Sequence, residues 1–192
     1  MTVKELTERI ESREPIKGVL VHSYFKKSSK FVHATGMIDA GQWRSTKDER
    51  IYPILLKERL DEGTKNMSRD ELRLALESLG SEVHFELGGE KLFVSIEGRA
   101  DNFEKTLELV RDMLMNPALT DSSFASVRQR LLSEFDDDKE DTRKRAQWAL
   151  SELMFAGDSA HRQMSPDERI LKLNESTVVK LREYAKSVLM GP

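Results

Sequence analysis

The sequence predicts an α+β fold in which a mainly antiparallel sheet is covered on one face by helices. The first observation is the order of elements, which is two strand-like segments, two helical segments, two strands and then several helices. The second is that the hydrophobic period changes between strand-like and helical values at the boundaries of these segments. The third is the length of 192 residues, which suits one domain with a buried core. We therefore expect a single domain over residues 1–192, with residues 1–17 as a lead-in segment.

The first two strands are predicted at residues 18–25 and 30–41. Both segments are rich in β-branched and aromatic residues, and the polar loop KKSS separates them. We expect them to be neighbouring strands of the sheet.

The first helix is predicted within residues 45–63, where the hydrophobic period becomes helical. Ser45 or Thr46 is expected to cap its start, and Gly63 is placed to end it. Pro53 cannot donate a backbone hydrogen bond, so we expect it within or near the first turn, or at a kink. The apolar residues near one face are Ile51, Ile54, Leu55 and Leu60.

The second helix and the following hairpin have the clearest local signals. Ser68 and Glu71 have the spacing of a capping box, and Gly80 is suited to end the helix that they open. Residues 81–100 then alternate around Gly88–Gly89, a pair suited to the positive φ angles of a tight turn. The inward face of the helix is predicted to consist of Leu72, Ala75, Leu76 and Leu79.

The rest of the chain is predicted to be mostly helical. Asp101 and Glu104 are expected to cap the third helix, and Pro117 closes it. Ser165–Pro166 with Glu168 predicts another helix start, after the acidic run DDDKED at residues 136–141. The apolar stripe of the third helix is predicted to be Phe103, Leu107, Val110 and Leu114.

Composition excludes several functional classes. The chain has 31 Lys plus Arg against 34 Asp plus Glu, mixed along its length, so we expect no nucleic-acid partner. The absence of cysteine excludes disulfides, thiolate zinc sites and a cysteine nucleophile. No apolar run is long enough to span a membrane, and the charged start is not a signal peptide. Localisation stays open, because the chain can be a piece of a longer precursor.

Four features in a fixed register carry a family resemblance. They are Gly63–Thr64 after the first helix, the capped ALESLG helix, the Gly88–Gly89 hairpin and Asn116–Pro117 after the third helix. Over residues 18–190 this pattern resembles a domain of the pitrilysin/insulinase family of zinc peptidases, M16, which includes the mitochondrial processing peptidases and the bc1 core proteins. The resemblance implies the α/β sandwich of that family. It also implies a unit that continues with a strand and further helices, so we expect the chain to be truncated at its C-terminus.

The resemblance also locates the residues at which active members hold zinc. Their inverted His-x-x-Glu-His motif supplies two imidazole ligands and a general base from one helix. At the matching positions this chain has Ile54, Lys57 and Glu58, so both imidazoles and the base are lost. The third-ligand position, about 80 residues beyond the first His, corresponds to Glu134 and is retained.

We therefore expect no catalytic, cofactor-binding or metal-binding residue in this chain, with zinc in the catalytic unit of the parent protein or of a partner. Glu134 is interpreted as a solvated or salt-bridged helix residue. The alternative is that Glu58 and Glu134 hold a hard cation weakly.

Other residues with ligand or stacking chemistry are given structural interpretations. His22 and His33 lie on successive predicted strands and could approach one another, and His84 lies on the hairpin. Each is interpreted as a strand residue with one polar partner, because no pair has the i, i+4 spacing of helical ligands. His161 is expected to be solvated in a loop.

The acidic run and the tryptophans are interpreted in the same way. The run at residues 136–141 is expected to be a solvated helix junction, because it lacks the glycine and the ligand spacing of a calcium loop. Trp43 and Trp148 are interpreted as core or interface residues, since no basic strip accompanies them.

The resemblance thus implies a noncatalytic domain of an M16-type zinc metallopeptidase, which encloses and orients a peptide or unfolded protein substrate opposite a zinc-bearing unit. The isolated chain is expected to be inactive, and a homo- or hetero-oligomer is expected. The alternative is a pseudo-peptidase scaffold or protein-interaction module without peptidase activity, as the bc1 core proteins have become.

Overall fold

The computed structural model describes residues 9–46 and 48–190, so residues 1–8 of the predicted lead-in lie outside the described residues. The described part has five strands and seven α-helices, with a 3-10 turn at Gln42–Arg44. The strands are β1 Ile10–Ile16, β2 Val19–Tyr24, β3 Phe31–Ile38, β4 Glu82–Leu87 and β5 Leu92–Arg99. The helices are α1 Ile51–Leu60, α2 Arg69–Leu79, α3 Phe103–Met115, α4 Asp121–Asp137, α5 Thr142–Met154, α6 Pro166–Glu175 and α7 Val178–Leu189.

The strands form two antiparallel sheets. One has three strands in the order β3-β5-β4, and the other is the β1–β2 hairpin. The prediction that residues 18–25 and 30–41 are neighbouring strands is therefore wrong, because β2 pairs with β1. Gly18, with φ of +85°, allows the tight turn that brings β1 back onto β2. The sequence did not predict β1, whose polar residues and Pro15 make a weak strand signal.

The three-stranded sheet is covered on one face, as predicted. Along β5 the side chains of Leu92, Val94 and Ile96 are buried against the helices, whereas Glu97 and Arg99 are exposed. This alternation follows from the two-residue period of a strand with one buried face. The α+β prediction is confirmed.

Helix α1 lies at the centre of the fold, in contact with β4, α4, α6 and α7. Pro53 is its third residue, in the first turn as predicted, where an intrahelical N–H partner is not needed. The predicted capping by Ser45 or Thr46 is wrong: the helix starts at Ile51, and the Thr46 hydroxyl bonds Glu49 at 2.9 Å. The fully buried apolar side chains of α1 are Ile51, Leu55, Leu56 and Leu60.

Helix α1 ends at Leu60, three residues before the predicted stop at Gly63, whose φ of +105° belongs to the following turn. Helix α2 has the predicted boundaries. The Ser68 and Glu71 side chains form the reciprocal capping box, and Gly80 adopts the left-handed conformation at the C-cap. Leu72 is buried on the inward face, and Ala75, Leu76 and Leu79 are half-buried.

The β4–β5 hairpin is confirmed, but the predicted positive φ angles at Gly88 and Gly89 are wrong. Among the described glycines, only Gly18, Gly63 and Gly80 have positive φ. The loop closes instead through a hydrogen bond from the Gly88 N–H to the Lys91 carbonyl at 2.9 Å. Glycine at position 89 is required by close packing against the 3-10 turn, as described below.

The predicted cap and stripe of α3 are partly wrong. Asn102 is the N-cap and makes no side-chain cap bond, while Asp101 pairs with Arg99. Leu107 is exposed, because the buried face is rotated towards Thr106, whose hydroxyl lies 2.7 Å from the Ser81 hydroxyl. The side chains buried on this face are Thr106, Val110 and Met113.

Local capping explains the remaining helices. Thr120 and Ser123 form a capping box for α4, and Ser165 and Glu168 form the predicted one for α6. Asp141 caps α5 through the backbone N–H groups of the next turn. Helix α5 is only lightly packed, since Ser151 is its one buried residue and its leucines are exposed.

Candidate functional site

The four motif positions identified from the sequence lie on two helices that pack against each other, α1 and α4. Ile54, Lys57 and Glu58 lie on α1, and Glu134 lies on α4. The two glutamates are joined through Arg130 of α4, which lies 2.6 Å from the Glu58 carboxylate and 3.9 Å from that of Glu134. Arg130 thus connects a residue of α1 with a residue of its own helix, α4.

Glu58 is the best-paired carboxylate of this cluster. Its Oε1 accepts a hydrogen bond from Lys57 Nζ at 2.8 Å, and its Oε2 accepts one from Arg130 at 2.6 Å. Its side chain is only 20 % exposed. Burial raises the pKa of Glu58, but the hydrogen bonds from Lys57 and Arg130 outweigh that effect and hold the pKa below its ordinary value. Glu58 is thus an ionised residue held between two cations.

Glu134 has a much weaker attachment. Its side chain is 53 % exposed, and Arg130 is its ion-pair partner one helical turn away. This agrees with the interpretation of Glu134 as a salt-bridged helix residue.

The residues present do not fit a zinc ion. Ile54 offers no ligand atom, and Lys57 and Arg130 bring positive charge to both sides of Glu58. In the described part of the chain, no three His, Asp or Glu side chains are grouped so as to hold a metal ion.

Arg130 is the member of this cluster that the sequence analysis did not identify. The available signal was its i, i+4 spacing to Glu134, which predicts a helical ion pair. Its stronger contact, to Glu58, joins residues 72 positions apart. That contact depends on the packing of α1 against α4 and has no local signal.

A groove made of two adjoining cavities lies beside this cluster. One cavity, of about 270 Å³, includes Glu134 and Trp148, and the other, of about 490 Å³, includes Trp43 and Leu150. Gln147 of α5 and Gln163 line both cavities. The other lining residues are Gln42, Asp138, Lys144, Met164 and Arg169 in the first and Ser151, Met154, Phe155 and His161 in the second. We call this feature the α5 groove.

The larger cavity is the apolar end of the α5 groove. The His161 ring lies edge-on to the Trp43 ring at a centroid distance of 4.3 Å, and 5.8 Å from the Phe155 ring. His161 is exposed, as expected, but it is packed between aromatic rings rather than free in a loop. Leu150 and Met154 of α5 add exposed apolar surface.

The smaller cavity is the polar end of the α5 groove. Asp138 is buried there and forms ion pairs with Lys144 and, at 3.5 Å, with Arg169. The acidic run is a helix junction as predicted, but the prediction that it is solvated is wrong for Asp138. This carboxylate is stable inside the fold because two cations from different segments compensate its charge.

The histidines of the strands match their structural interpretation. His22 bonds the Ser12 hydroxyl at 2.8 Å, and His33 lies 3.2 Å from the Glu97 carboxylate. His84 lies 3.5 Å from Glu82. His22 and His33 do not come together, because β2 and β3 belong to different sheets.

Two larger cavities, of about 690 and 580 Å³, are lined by none of the four motif positions. Within residues 9–46 and 48–190, no helix combines the length and the apolar character that a membrane crossing needs.

The family described as Insulinase (Peptidase family M16) matches residues 22–167. No curated protein matches the sequence.

Among solved structures, the peptidase M16 inactive domain from Pseudomonas fluorescens is 16 % identical, with a TM-score of 0.80 over 91 % of this chain and 42 % of its own. The periplasmic protease PqqL from Escherichia coli is 12 % identical, with a TM-score of 0.77 over 95 % of this chain and 20 % of its own. A protease from Helicobacter pylori is 14 % identical, with a TM-score of 0.80 over 92 % and 42 %. The chain thus spans less than half the length of these structures.

Proposed function

The chain belongs to the insulinase family of peptidases, family M16, and on this premise we propose that it is a noncatalytic domain that binds peptide substrate and helps to enclose it opposite a zinc-bearing unit. Zinc and the catalytic residues belong to that unit, in the parent protein or in a partner chain. The P. fluorescens structure, described as an inactive domain of an M16 peptidase, has a similar fold and supports the proposal.

The observation that carries this proposal is the position of the α5 groove beside the altered motif. Glu134, at the third-ligand position, also lines the polar end of the groove. A peptide lying in the groove would therefore pass the position that corresponds to the third zinc ligand of a catalytic unit. The cluster itself offers Lys57 where a general base is needed, which argues against hydrolysis by this chain.

The lining of the α5 groove suits an extended, unfolded peptide. Trp43, Leu150 and Met154 offer partly exposed apolar surface for a large apolar side chain. The side-chain amides of Gln147 and Gln163 can donate to and accept from a peptide backbone. Such contacts depend little on sequence, as binding of varied unfolded peptides requires.

Intrinsic fluorescence gives a direct test of peptide binding. The two tryptophans of the chain, Trp43 and Trp148, both line the α5 groove, so a peptide bound there should change their emission. We would titrate the protein with an unfolded peptide that contains several leucines and phenylalanines. Replacing Trp43 or Trp148 by Phe identifies which end of the groove responds.

A matched pair of variants distinguishes peptide binding in the α5 groove from nonspecific binding to exposed apolar residues. Leu150 in the groove and Leu74 on α2 are both 57 % exposed. Leu150→Ala should weaken binding by about fivefold, the loss expected for part of a buried leucine side chain. Leu74→Ala should leave binding unchanged. Absence of saturable binding, or equal effects of the two variants, would rule out the groove as the peptide site.

A second candidate is a scaffold or interaction module without a peptidase partner. The apolar residues exposed on the β1–β2 hairpin, including Ile16 and Leu20, favour it, because such surfaces suit protein–protein contacts. Co-purification from the native source discriminates the two functions. A zinc-bearing M16 chain in the complex supports the first proposal, and a complex without one supports the second.

A further inference from the structure

We infer that the positive charge of Arg130 serves in place of the charge of a metal ion. Arg130 ties α1 to α4 through Glu58 and Glu134, and it keeps divalent cations away from these two carboxylates. The inference concerns the cluster of Lys57, Glu58, Arg130 and Glu134 and is independent of peptide binding.

Two cationic side chains already compensate the charges of the two glutamates. Glu58 and Glu134 contribute two negative charges, and Lys57 and Arg130 contribute two positive charges, so the charges of these four side chains balance. A divalent ion placed between the glutamates would meet two cations within a few ångströms. Because the Glu58 side chain is largely buried, this repulsion is only partly screened by water.

Arg130 already occupies the space next to the two carboxylates. The Arg130 guanidinium contacts Glu58 at 2.6 Å and also reaches towards Glu134 at 3.9 Å. It thus lies between the two carboxylates that remain near the motif position. A metal ion could approach either carboxylate only after displacing an arginine that is already hydrogen-bonded there.

The ion pair between Arg130 and Glu58 also links two helices. The contact between Arg130 and Glu58 joins α1 and α4 across 72 residues. A metal bound to ligands on two helices provides the same kind of connection. An arginine that replaces it preserves the helix packing without requiring metal.

Arg130 should weaken zinc binding even when the family's zinc motif is restored in this chain. The triple variant Ile54→His, Lys57→Glu, Glu58→His supplies both imidazoles and the base, and Glu134 remains. If Arg130 excludes cations, this variant binds zinc poorly, because the guanidinium still competes for Glu134 and repels the ion. Replacing Arg130 by Gln in the triple variant should therefore tighten zinc binding at least tenfold.

Competition with a chromophoric zinc chelator measures this difference. The matched control is Arg128→Gln in the same triple variant, because Arg128 lies on the same helix but bonds Asn174 instead. The control should leave zinc affinity unchanged. If Arg130→Gln changes the zinc dissociation constant no more than Arg128→Gln, whether binding is tight or weak, the inference is overturned.

If the triple variants do not fold, thermal unfolding of variants made in the native sequence gives a second test. In the native sequence, Glu58→Gln and Arg130→Gln should each lower Tm by several degrees, and the double variant should lose little more than either one. This non-additivity is expected for two residues that act through one contact. A Tm of Arg130→Gln equal to that of the wild type, or fully additive losses, would also overturn the inference.

Discussion

The indole ring of Trp43 packs directly on Gly89, so closely that a Cβ atom at position 89 would lie 2.5 Å from the ring. The backbone N–H of Trp43 also donates to the Gly89 carbonyl at 2.7 Å. The β4–β5 loop therefore holds Trp43 in place at the apolar end of the α5 groove. Glycine is required here because of close packing and not because of its backbone conformation.

Gly89→Ala should lower the free energy of unfolding by about 1–3 kcal/mol, because the added methyl group forces the indole or the loop to move. The tryptophan emission of the folded protein should change as well. Gly157→Ala is the control, since a Cβ there meets no atom within 4 Å. Urea unfolding measures both variants, and equal stabilities would contradict the packing argument.

The Glu58 cluster predicts a stability change in acid. The pKa of Glu58 in the folded protein is lowered, since hydrogen bonds from Lys57 and Arg130 outweigh the effect of burial. Its contribution to stability is therefore complete above the pKa of an unfolded glutamate, about 4.3, and is lost as pH falls through the lower folded value.

Glu58→Gln should thus destabilise the protein at neutral pH, and its difference from the wild type should shrink below about pH 4. Urea unfolding at a series of pH values checks this, with Glu86→Gln at an exposed strand position as the control. If the free energies of unfolding of Glu58→Gln and the wild type differ by the same amount at every pH, then Glu58 is not stabilised as an anion.

Arg59 should be sensitive even to replacement by lysine. It is buried, and its guanidinium donates to the carbonyls of Ala118 at 2.6 Å and Ser123 at 3.4 Å. A lysine cannot make both bonds in this geometry, so Arg59→Lys should cost about 1–3 kcal/mol of stability. Arg69→Lys, at an exposed ion pair, should cost much less. Equal losses in chemical denaturation would argue against a specific role of the guanidinium.

The purified chain should contain no stoichiometric zinc and should not hydrolyse unfolded peptides. The reason is that Ile54 cannot act as a zinc ligand and Lys57 cannot act as a general base. Glu58 is already hydrogen-bonded to the side chains of Lys57 and Arg130. Elemental analysis after dialysis and a peptide-cleavage assay test the two statements. One zinc per chain that disappears in Glu134→Gln, or chelator-sensitive cleavage that follows the protein through purification, would contradict them.

The β1–β2 hairpin should promote association. Ile16 and Leu20 are exposed there, as is Phe25 directly after β2, and burying apolar surface of this kind favours pairing with another chain. Sedimentation over a wide concentration range should show a dimer or larger assembly that Leu20→Ser weakens by about fivefold or more. Leu171→Ser, at an exposed position on α6, is the control. A strict monomer at all concentrations would refute this prediction.

Local signals in the sequence predicted much of the fold. The capping boxes at Ser68 and Ser165 and the helix stop at Gly80 were correct, because each depends on residues three or four positions apart. Strand β1 was missed and β2 was paired with the wrong strand, because strand pairing depends on contacts that are distant in sequence.

The sequence by itself determined that Ile54, Lys57 and Glu58, the positions matched to the family's zinc motif, carry no imidazole, because this depends only on residue identity. Only the tertiary structure decided which side chains surround these positions. Arg130 reaches Glu58 because α4 packs against α1, and the β4–β5 loop holds Trp43 at the α5 groove. These contacts join segments that are far apart in the chain, so the three-dimensional packing of helices and strands establishes them.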